Sequence, residues 1–252
     1  MTPVRFELFT QDAVAWLHSL PAASVDLLIT DPAYESLEKH RAVGTTTRLK
    51  HSKASSNDWF AIFPNARFGE LFREVYRVLK VNSHFYLFCD AETMFVAKPE
   101  AEQAGFKFWK PLVWDKCTIG MGYHYRARYE FILFFEKGKR RLNDLGVSDI
   151  TSVPRIRGGY PAEKPPGVAQ VLIQQSSQPG DTVADPFMGS ASVGVAAARL
   201  GRHFLGNDLN PEAVHIAAHR LSDLGIGPPA ADVAGEREPD QPDLLRSITP
   251  RT

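Results

Sequence analysis

The sequence lacks the features that mark secreted, membrane and zinc-binding proteins. Cysteine occurs only twice in 252 residues, at Cys89 and Cys117, which is too few for a disulfide framework and lacks the paired spacing of zinc sites. No uncharged run is long enough to cross a bilayer, and residues 1–9 do not have the order of a secretion signal. These absences predict a soluble, cytoplasmic protein that binds neither metal nor membrane, with both cysteines in its core.

An excess of charge of one sign is also missing. Lysine plus arginine and aspartate plus glutamate each number 29, so the formal net charge is zero. Such a protein has no overall positive field to attract nucleic acid, and any contact with DNA has to depend on local clusters of basic residues.

Apolar runs and amphipathic stretches alternate along most of the chain, and 44% of the residues are hydrophobic. This alternation predicts an α/β fold, with helices on both faces of a doubly wound, mainly parallel sheet. Strands are predicted at residues 4–9, 25–30, 85–89, 106–114, 129–135, 182–184 and 203–206, and helices at 11–20, 68–79, 91–104, 166–175, 191–200 and 211–221.

The sequence Asp31-Pro32-Ala33-Tyr34 directly follows the apolar run 25–30. An ionised Asp31 only accepts hydrogen bonds, Pro32 restricts the turn, and Tyr34 offers a flat face for stacking. The exocyclic amine of a nucleobase would suit this combination. An ordinary turn after a strand is the alternative, since Asp-Pro pairs commonly begin turns.

A second motif lies at 185–190, where a short apolar strand runs into Asp185-Pro186-Phe187-Met188-Gly189-Ser190. Gly189 would let a ligand approach the backbone, and the Asp185 carboxylate suits an ammonium group. The next strand ends at Asp208, about twenty residues on, the spacing at which an acid contacts a ribose diol in nucleoside-binding folds. The two motifs together favour a nucleoside pocket over a helix start with no ligand.

These motifs resemble those of the permuted β class of amino-group DNA methyltransferases, which use S-adenosylmethionine. In that family a D-P-P-Y catalytic motif comes first and a D-P-F-x-G-S-G-T-T cofactor motif comes late. The similarity spans roughly residues 4 to 223, and it implies a Rossmann-like methyltransferase fold in circularly permuted order. Further matching segments are 112–116, 120–123, 128–133, 160–165 (an H-x-x-x-K-P element) and 207–212 (a ribose-binding segment).

The resemblance implies site-specific transfer of a methyl group from S-adenosylmethionine to N6 of a flipped-out adenine in double-stranded DNA, an activity typical of restriction–modification. An aspartate at position 31 favours adenine, because the resembled N4-cytosine enzymes usually carry S-P-P-Y; N4-cytosine is the alternative. The implied catalytic residues are Asp31, Pro32 and Tyr34. The implied cofactor-binding residues are Asp185, Pro186, Phe187, Gly189, Ser190, Asp208, Asn210 and Lys164, the last at the methionine end of the cofactor.

Several positions depart from the family pattern. Ala33 stands where a second proline is usual and frees one φ angle of the loop. Ala191, Ser192 and Val193 replace G-T-T, and Tyr160 replaces the usual histidine. These changes leave open a catalytically weak, methyltransferase-like DNA-binding module. Methylation of RNA or of a protein glutamine is a further alternative, against which the late position of the cofactor motif argues.

Two segments, 35–61 and 137–159, do not fit the alternation. The first is rich in basic and hydroxyl side chains, suits phosphate contacts and is expected to be a mobile loop. The second lies where the resembled family carries target-recognition elements, and its shortness predicts a small recognition region; both segments could instead be solvated connectors. The candidate DNA-binding residues are Arg41, Arg48, Lys50, Lys53, Arg140, Arg141, Arg155 and Arg157.

We expect one methyltransferase domain at residues 1–224. It divides into a catalytic half at 1–137, a target-recognition segment at 138–159 and a cofactor-binding half at 160–224. The proline-rich tail, 225–252, lacks apolar periodicity and is expected to be disordered, with a docking peptide as the alternative. Members of the resembled family are often dimers, so a homodimer is an expectation from resemblance alone.

Overall fold

The computed structural model of the chain describes residues 4–36, 61–120, 124–156 and 163–225. In these ranges the chain forms one sheet flanked by helices. The strands are β1 (Phe6–Thr10), β2 (Val25–Thr30), β3 (Leu79–Cys89), β4 (Lys107–Asp115), β5 (Tyr129–Lys137), β6 (Ile150–Ser152), β7 (Thr182–Asp185) and β8 (His203–Asp208). The helices are α1 (Ala13–Ser19), α2 (Phe68–Val78), α3 (Ala91–Gln103), α4 (Pro166–Ser176), α5 (Ser192–Arg199) and α6 (Pro211–Ser222).

The sheet has eight strands in the order β1-β8-β7-β2-β3-β5-β4-β6. All neighbouring pairs are parallel except those of β5, which runs antiparallel to both β3 and β4. The carboxyl ends of β2, β7 and β8 therefore meet at one edge of the sheet, although the chain separates the first from the other two by about 150 residues. The predicted mainly parallel, doubly wound α/β fold is confirmed.

Helix starts in this fold are fixed by side chains that the sequence makes recognisable. The Asp12 carboxylate accepts from the backbone amides of Val14 and Ala15 at the start of α1, and Asp90 accepts from the Thr93 amide at the start of α3. Such caps replace hydrogen bonds that the first turn of a helix lacks. They also fix where each loop leaves the sheet.

Apolar side chains cover both faces of the central strands. Along β3, Tyr86 and Phe88 pack with α4 and α5 on one face, while Phe85 and Leu87 pack with α2 and α3 on the other. Because β2 is buried on both faces, its sequence is almost continuously apolar. A rigid strand thus leads directly into Asp31.

The structure also corrects several expectations. The strand predicted at 85–89 begins at Leu79, because exposed polar residues such as Lys80 and Asn82 hide its first half from pattern reading. The segment 137–159 contains the short strand β6, which pairs with β4. Cys89 is buried as expected, but Cys117 is exposed in the turn after β4, so its assignment to the core was wrong.

Some expectations fall on residues that the structure does not describe. The loop at 37–60 and the tail at 226–252 lie outside the described residues, so the interpretations of both remain predictions. Within the described part of the chain, no helix is long and apolar enough to cross a membrane.

Candidate active site

A cavity of about 640 Å³ opens at the carboxyl ends of β2, β7 and β8. Its wall includes every residue predicted to be catalytic and every residue predicted to bind the cofactor. Phe63 connects the two motifs: it forms a β-bridge with Tyr34, and its ring centroid lies 5.1 Å from that of Phe187. Two motifs that are about 150 residues apart in sequence therefore line one cavity.

Asp31 is oriented by two donors. The Tyr34 hydroxyl donates to Oδ1 at 2.8 Å, and the Lys164 ammonium forms an ion pair with Oδ2. The Tyr34 side chain is only 7% exposed, and burial, followed by the nearby Asp31 charge, raises its pKa well above the ordinary value. Tyr34 therefore stays a neutral donor. An ionised carboxylate offers about four acceptor positions, so Asp31 keeps room for donors from a ligand.

Lys164 belongs to a chain of alternating charges. Its Nζ lies 3.1 Å from Oε2 of Glu130, and Oε1 of Glu130 lies 2.5 Å from Nζ of Lys116. Burial alone would lower the pKa of Lys164, but Asp31 and Glu130 outweigh it, and the net pKa is raised. For Glu130 burial acts upward, while Lys164 and Lys116 lower the pKa below its ordinary value. Lys164 and Glu130 are therefore both charged at neutral pH.

Asp185 lies at the end of β7 in a different electrostatic setting. Its Oδ1 accepts from the Thr30 hydroxyl at 2.7 Å and from the Phe187 amide at 3.0 Å. The residue is 3% exposed. Burial, against which these two hydrogen bonds act, raises the pKa of Asp185 to about 7, and the charges of Asp31 and Asp208 add to the rise. A cation beside Asp185 would favour its ionised form.

Asp208 ties the cofactor motif to β8. Its Oδ2 accepts from the Gly189 amide and its Oδ1 from the Asn210 amide, both at 2.9 Å. Burial raises the pKa of Asp208, while these amides act in the opposite direction. Gly189 has φ 51°, a left-handed conformation that glycine adopts without strain. The motif turn is thus held in place with an acidic group facing the cavity.

The loop after Gly189 is fixed from the outside by Arg220 of α6. Its guanidinium donates to the Ser190 carbonyl at 2.6 Å and to the Ser190 hydroxyl at 2.7 Å, and it also pairs with Glu163 at 2.7 Å. Ala191, where the resembled family has glycine, has φ 58° and is fully buried. The chain therefore keeps at this position a backbone conformation that favours glycine.

Three groups of the site were missed by sequence reasoning. Glu130 lies in the matched segment 128–133, so that match could have identified it. Arg67 forms a two-pronged ion pair with Asp12, at 2.7 and 2.9 Å, and its guanidinium carbon lies 5.3 Å from the Phe63 ring centroid. No sequence signal marks Phe63 or Arg67, because both reach the cavity through tertiary contacts.

The predicted DNA-binding residues divide into three groups. Arg155 follows β6 at the edge of the sheet where the cavity opens, and it is exposed. Arg140 and Arg141 follow the end of antiparallel β5, whose Lys137 pairs with Ser83 near the opposite edge. Their position does not favour contact with DNA at the cavity, and the sequence could not show this because it does not give the direction of β5. Arg41, Arg48, Lys50, Lys53 and Arg157 lie outside the described residues.

The turn between β4 and β5 supplies cations that were not predicted. Arg126 is exposed and donates to the Gly120 carbonyl at 2.7 Å, while Arg128 pairs with Asp115 at 2.7 Å. Tyr125 is fully exposed beside them. This hairpin starts next to Glu130 and projects from the same edge as the cavity. In the described ranges, no group of three or more His, Cys, Asp or Glu side chains is arranged to hold a metal ion.

Comparison with known proteins identifies the family. A model of the DNA methylase family, which covers N6 and N4 methyltransferases, matches residues 25–219. The chain belongs to this DNA methylase family. The resemblance to amino-group DNA methyltransferases is therefore confirmed.

Curated relatives of this DNA methylase carry the same activity in their names. The type II methyltransferase M.HpaI of Haemophilus parainfluenzae is 26% identical, with 85% of this chain and 73% of that protein covered. The DNA adenine methyltransferase YhdJ of Escherichia coli K12 is 27% identical, with 83% and 80% covered. The type II methyltransferase M2.DpnII of Streptococcus pneumoniae is 25% identical, with 85% and 88% covered.

Solved structures share the fold of this DNA methylase. The DNA modification methylase TTHA0409 of Thermus thermophilus superposes with a TM-score of 0.65 at 24% identity, covering 87% of this chain and 95% of that one. M1.HpyAVI in complex with S-adenosylmethionine gives 0.62 at 22% identity, covering 86% and 99%. The PvuII cytosine-N4 methyltransferase gives 0.68 at 16% identity, covering 87% of each chain.

Proposed function

We propose that this DNA methylase transfers a methyl group from S-adenosylmethionine to N6 of adenine in double-stranded DNA, with Asp31 as the acceptor of the amine hydrogens. The observation that carries the proposal is the shared cavity: the Asp31 carboxylate and the acidic pair Asp185 and Asp208 open onto the same space. Direct transfer requires the amine and the methyl donor to meet in one enclosure.

The residues on the cofactor side fit S-adenosylmethionine by their chemistry. The ionised form of Asp185 would hold the ammonium of the methionine end, and the free acceptor positions of Asp208 would hold the ribose hydroxyls. Phe187 and Phe63 supply aromatic surface for the adenine ring. When bound, the cofactor supplies a methyl group on a sulfonium, a good leaving group, so no protein nucleophile is needed.

On the DNA side, the Asp31 carboxylate and the Pro32 carbonyl would accept the two hydrogens of the target amine. This arrangement favours a pyramidal nitrogen, whose lone pair is available for attack. Tyr34 would support the ring of the base. Because N6 lies inside the duplex, the base has to be flipped out, at a cost of a few kcal/mol that stacking and phosphate contacts offset.

DNA would lie across the edge of the sheet where the cavity opens. Arg126 and Arg128 on the β4–β5 hairpin and Arg155 after β6 are exposed there and would contact phosphates. Arg41, Arg48, Lys50, Lys53 and Arg157 remain in the proposal as residues of adjoining segments. Arg140 and Arg141 are not part of it.

The choice of adenine is supported by the aspartate at position 31 and by relatives named as adenine methyltransferases. The direct test is to incubate the purified enzyme with S-adenosylmethionine and unmethylated genomic DNA, followed by chromatography of the nucleosides. We expect N6-methyladenine with the wild type and none with Asp31→Ala, which should still bind the cofactor. N4-methylcytosine alone would show that the base assignment is wrong, and loss of cofactor binding in Asp31→Ala would show that the two ends of the cavity were exchanged.

A further inference from the structure

We propose that Glu130 and Lys164 are positioning residues for Asp31, with Glu130 acting through Lys164. The inference rests on the proposed function and assigns Lys164 a role different from that implied by resemblance, which placed it at the methionine end of the cofactor. Glu130 has no role in that resemblance.

The first argument is the geometry of the Lys164 ammonium. It contacts the Asp31 carboxylate and lies 3.1 Å from Glu130, while the rings of Phe88 and Trp114 lie 5.6 and 5.9 Å from its nitrogen. Its side chain is only 18% exposed. A cation enclosed by two carboxylates and two aromatic rings has little freedom to follow a ligand, and it holds its partners in one geometry.

The second argument is the local charge. Asp31, Lys164 and Glu130 together carry a net charge of −1, so this cluster presents no excess positive charge to the carboxylate of a cofactor. The same negative charge suits a target amine that becomes positive as it accepts a methyl group. Lys164 is therefore better placed to orient Asp31 than to bind an anionic group.

The third argument is that Glu130 stands on a rigid support. It is the second residue of β5, in register with Trp114 of β4, and Lys116 holds its other oxygen at 2.5 Å. Without the Glu130 charge, the Lys164 ammonium would keep Asp31 as its one described acidic partner, and its position would no longer be fixed from two sides. The Asp31 carboxylate would then lose its defined orientation.

A double-mutant cycle on methyl transfer tests this inference. The variants are Glu130→Gln, Lys164→Met and the combination, assayed with radiolabelled S-adenosylmethionine and saturating unmethylated genomic DNA, and cofactor Kd is measured separately by calorimetry. We expect Glu130→Gln to lower kcat by about 10- to 100-fold and Lys164→Met by at least as much, since small misplacements of reacting groups have effects of this size. Cofactor Kd should change less than about threefold in each variant.

The combination decides how Glu130 acts. If it acts through Lys164, the double variant should be no slower than Lys164→Met alone, because residues that act as one unit are not additive. Independent effects that multiply would overturn the inference. So would an intact kcat in Lys164→Met with a cofactor Kd weakened tenfold or more, which would return Lys164 to the cofactor.

Two controls separate the remaining explanations. Glu136→Gln changes another buried glutamate of β5 that contacts the Arg140 amide and Trp109, at the far end of the strand; it should leave kcat unchanged. An equal loss in this control would overturn the inference in favour of general damage to β5. The wild type is the other control: absence of any transfer to DNA would refute the proposed function itself, whereas an active wild type with a multiplicative cycle would refute only the positioning role.

Discussion

Replacing Asp185 with asparagine should stabilise the ligand-free protein while impairing the function that we assign to this residue. Both hydrogen bonds that the structure gives Asp185, from the Thr30 hydroxyl and the Phe187 amide, end on the same oxygen, Oδ1. An asparagine can present its own carbonyl oxygen to both donors. The substitution therefore removes a buried charge and retains the contacts.

The size and sign of the effect follow from the pKa of Asp185. Burial raises this pKa from 3.8 to about 7, a rise of about three pH units, which corresponds to at most about 4 kcal/mol at about 1.4 kcal/mol per unit. The folded state thus binds a proton that the unfolded state has already released between pH 4 and 7, so stability falls as pH rises through that window. Above pH 7 ionised Asp185 destabilises the fold, and water in the adjoining cavity reduces the expected cost to about 1–3 kcal/mol.

Urea unfolding at pH 5 and at pH 8, without cofactor, measures this effect. We expect Asp185→Asn and the wild type to differ little at pH 5, and the variant to be more stable by about 1–3 kcal/mol at pH 8. Comparing the two proteins at each pH cancels the titration of other groups, including Asp208. A free-energy difference that stays constant from pH 5 to pH 8 would refute the reasoning, and calorimetry should show that the variant binds S-adenosylmethionine more weakly.

Three further predictions concern separate parts of the molecule. Asp208→Ala should weaken cofactor binding at least tenfold in calorimetry, because it removes the acceptor for the ribose and the anchor of the Gly189 amide; an unchanged Kd would reject that role. Lys137→Met should lower the free energy of unfolding by about 2–3 kcal/mol without changing cofactor Kd, since the Lys137 ammonium donates to the Tyr76 and Leu79 carbonyls at the end of α2. Arg126→Ala should weaken DNA binding in a gel-shift assay and lower its salt dependence, whereas Arg141→Ala, the matched control on the other edge of the sheet, should do neither; equal effects would contradict the proposed DNA surface.

Much of the fold could be predicted from the sequence because its signals are local. The apolar run into Asp31 and the turn at Gly189 each carry their own pattern, and the structure places both at the ends of the expected strands. The first half of β3 was missed for the opposite reason: Lys80, Val81 and Asn82 are exposed, so no apolar run marks this part of the strand. Cys117 was assigned to the core by residue type alone, although it lies in a turn with φ 59°.

Side-chain partners at long range could not be predicted in the same way. Lys164 and Asp31 are 133 positions apart, and the chain between them crosses the sheet through β3, β4, β5 and β6. Which carboxylate a lysine meets depends on strand order and on the direction of β5, because that antiparallel strand brings Glu130 to the cavity and carries Arg140 and Arg141 away from it. A basic segment read in sequence therefore predicts charge but not the side of the sheet on which the charge lies. In this protein the direction of one strand decides that the second residue of β5 belongs to the site and that the arginines following it do not.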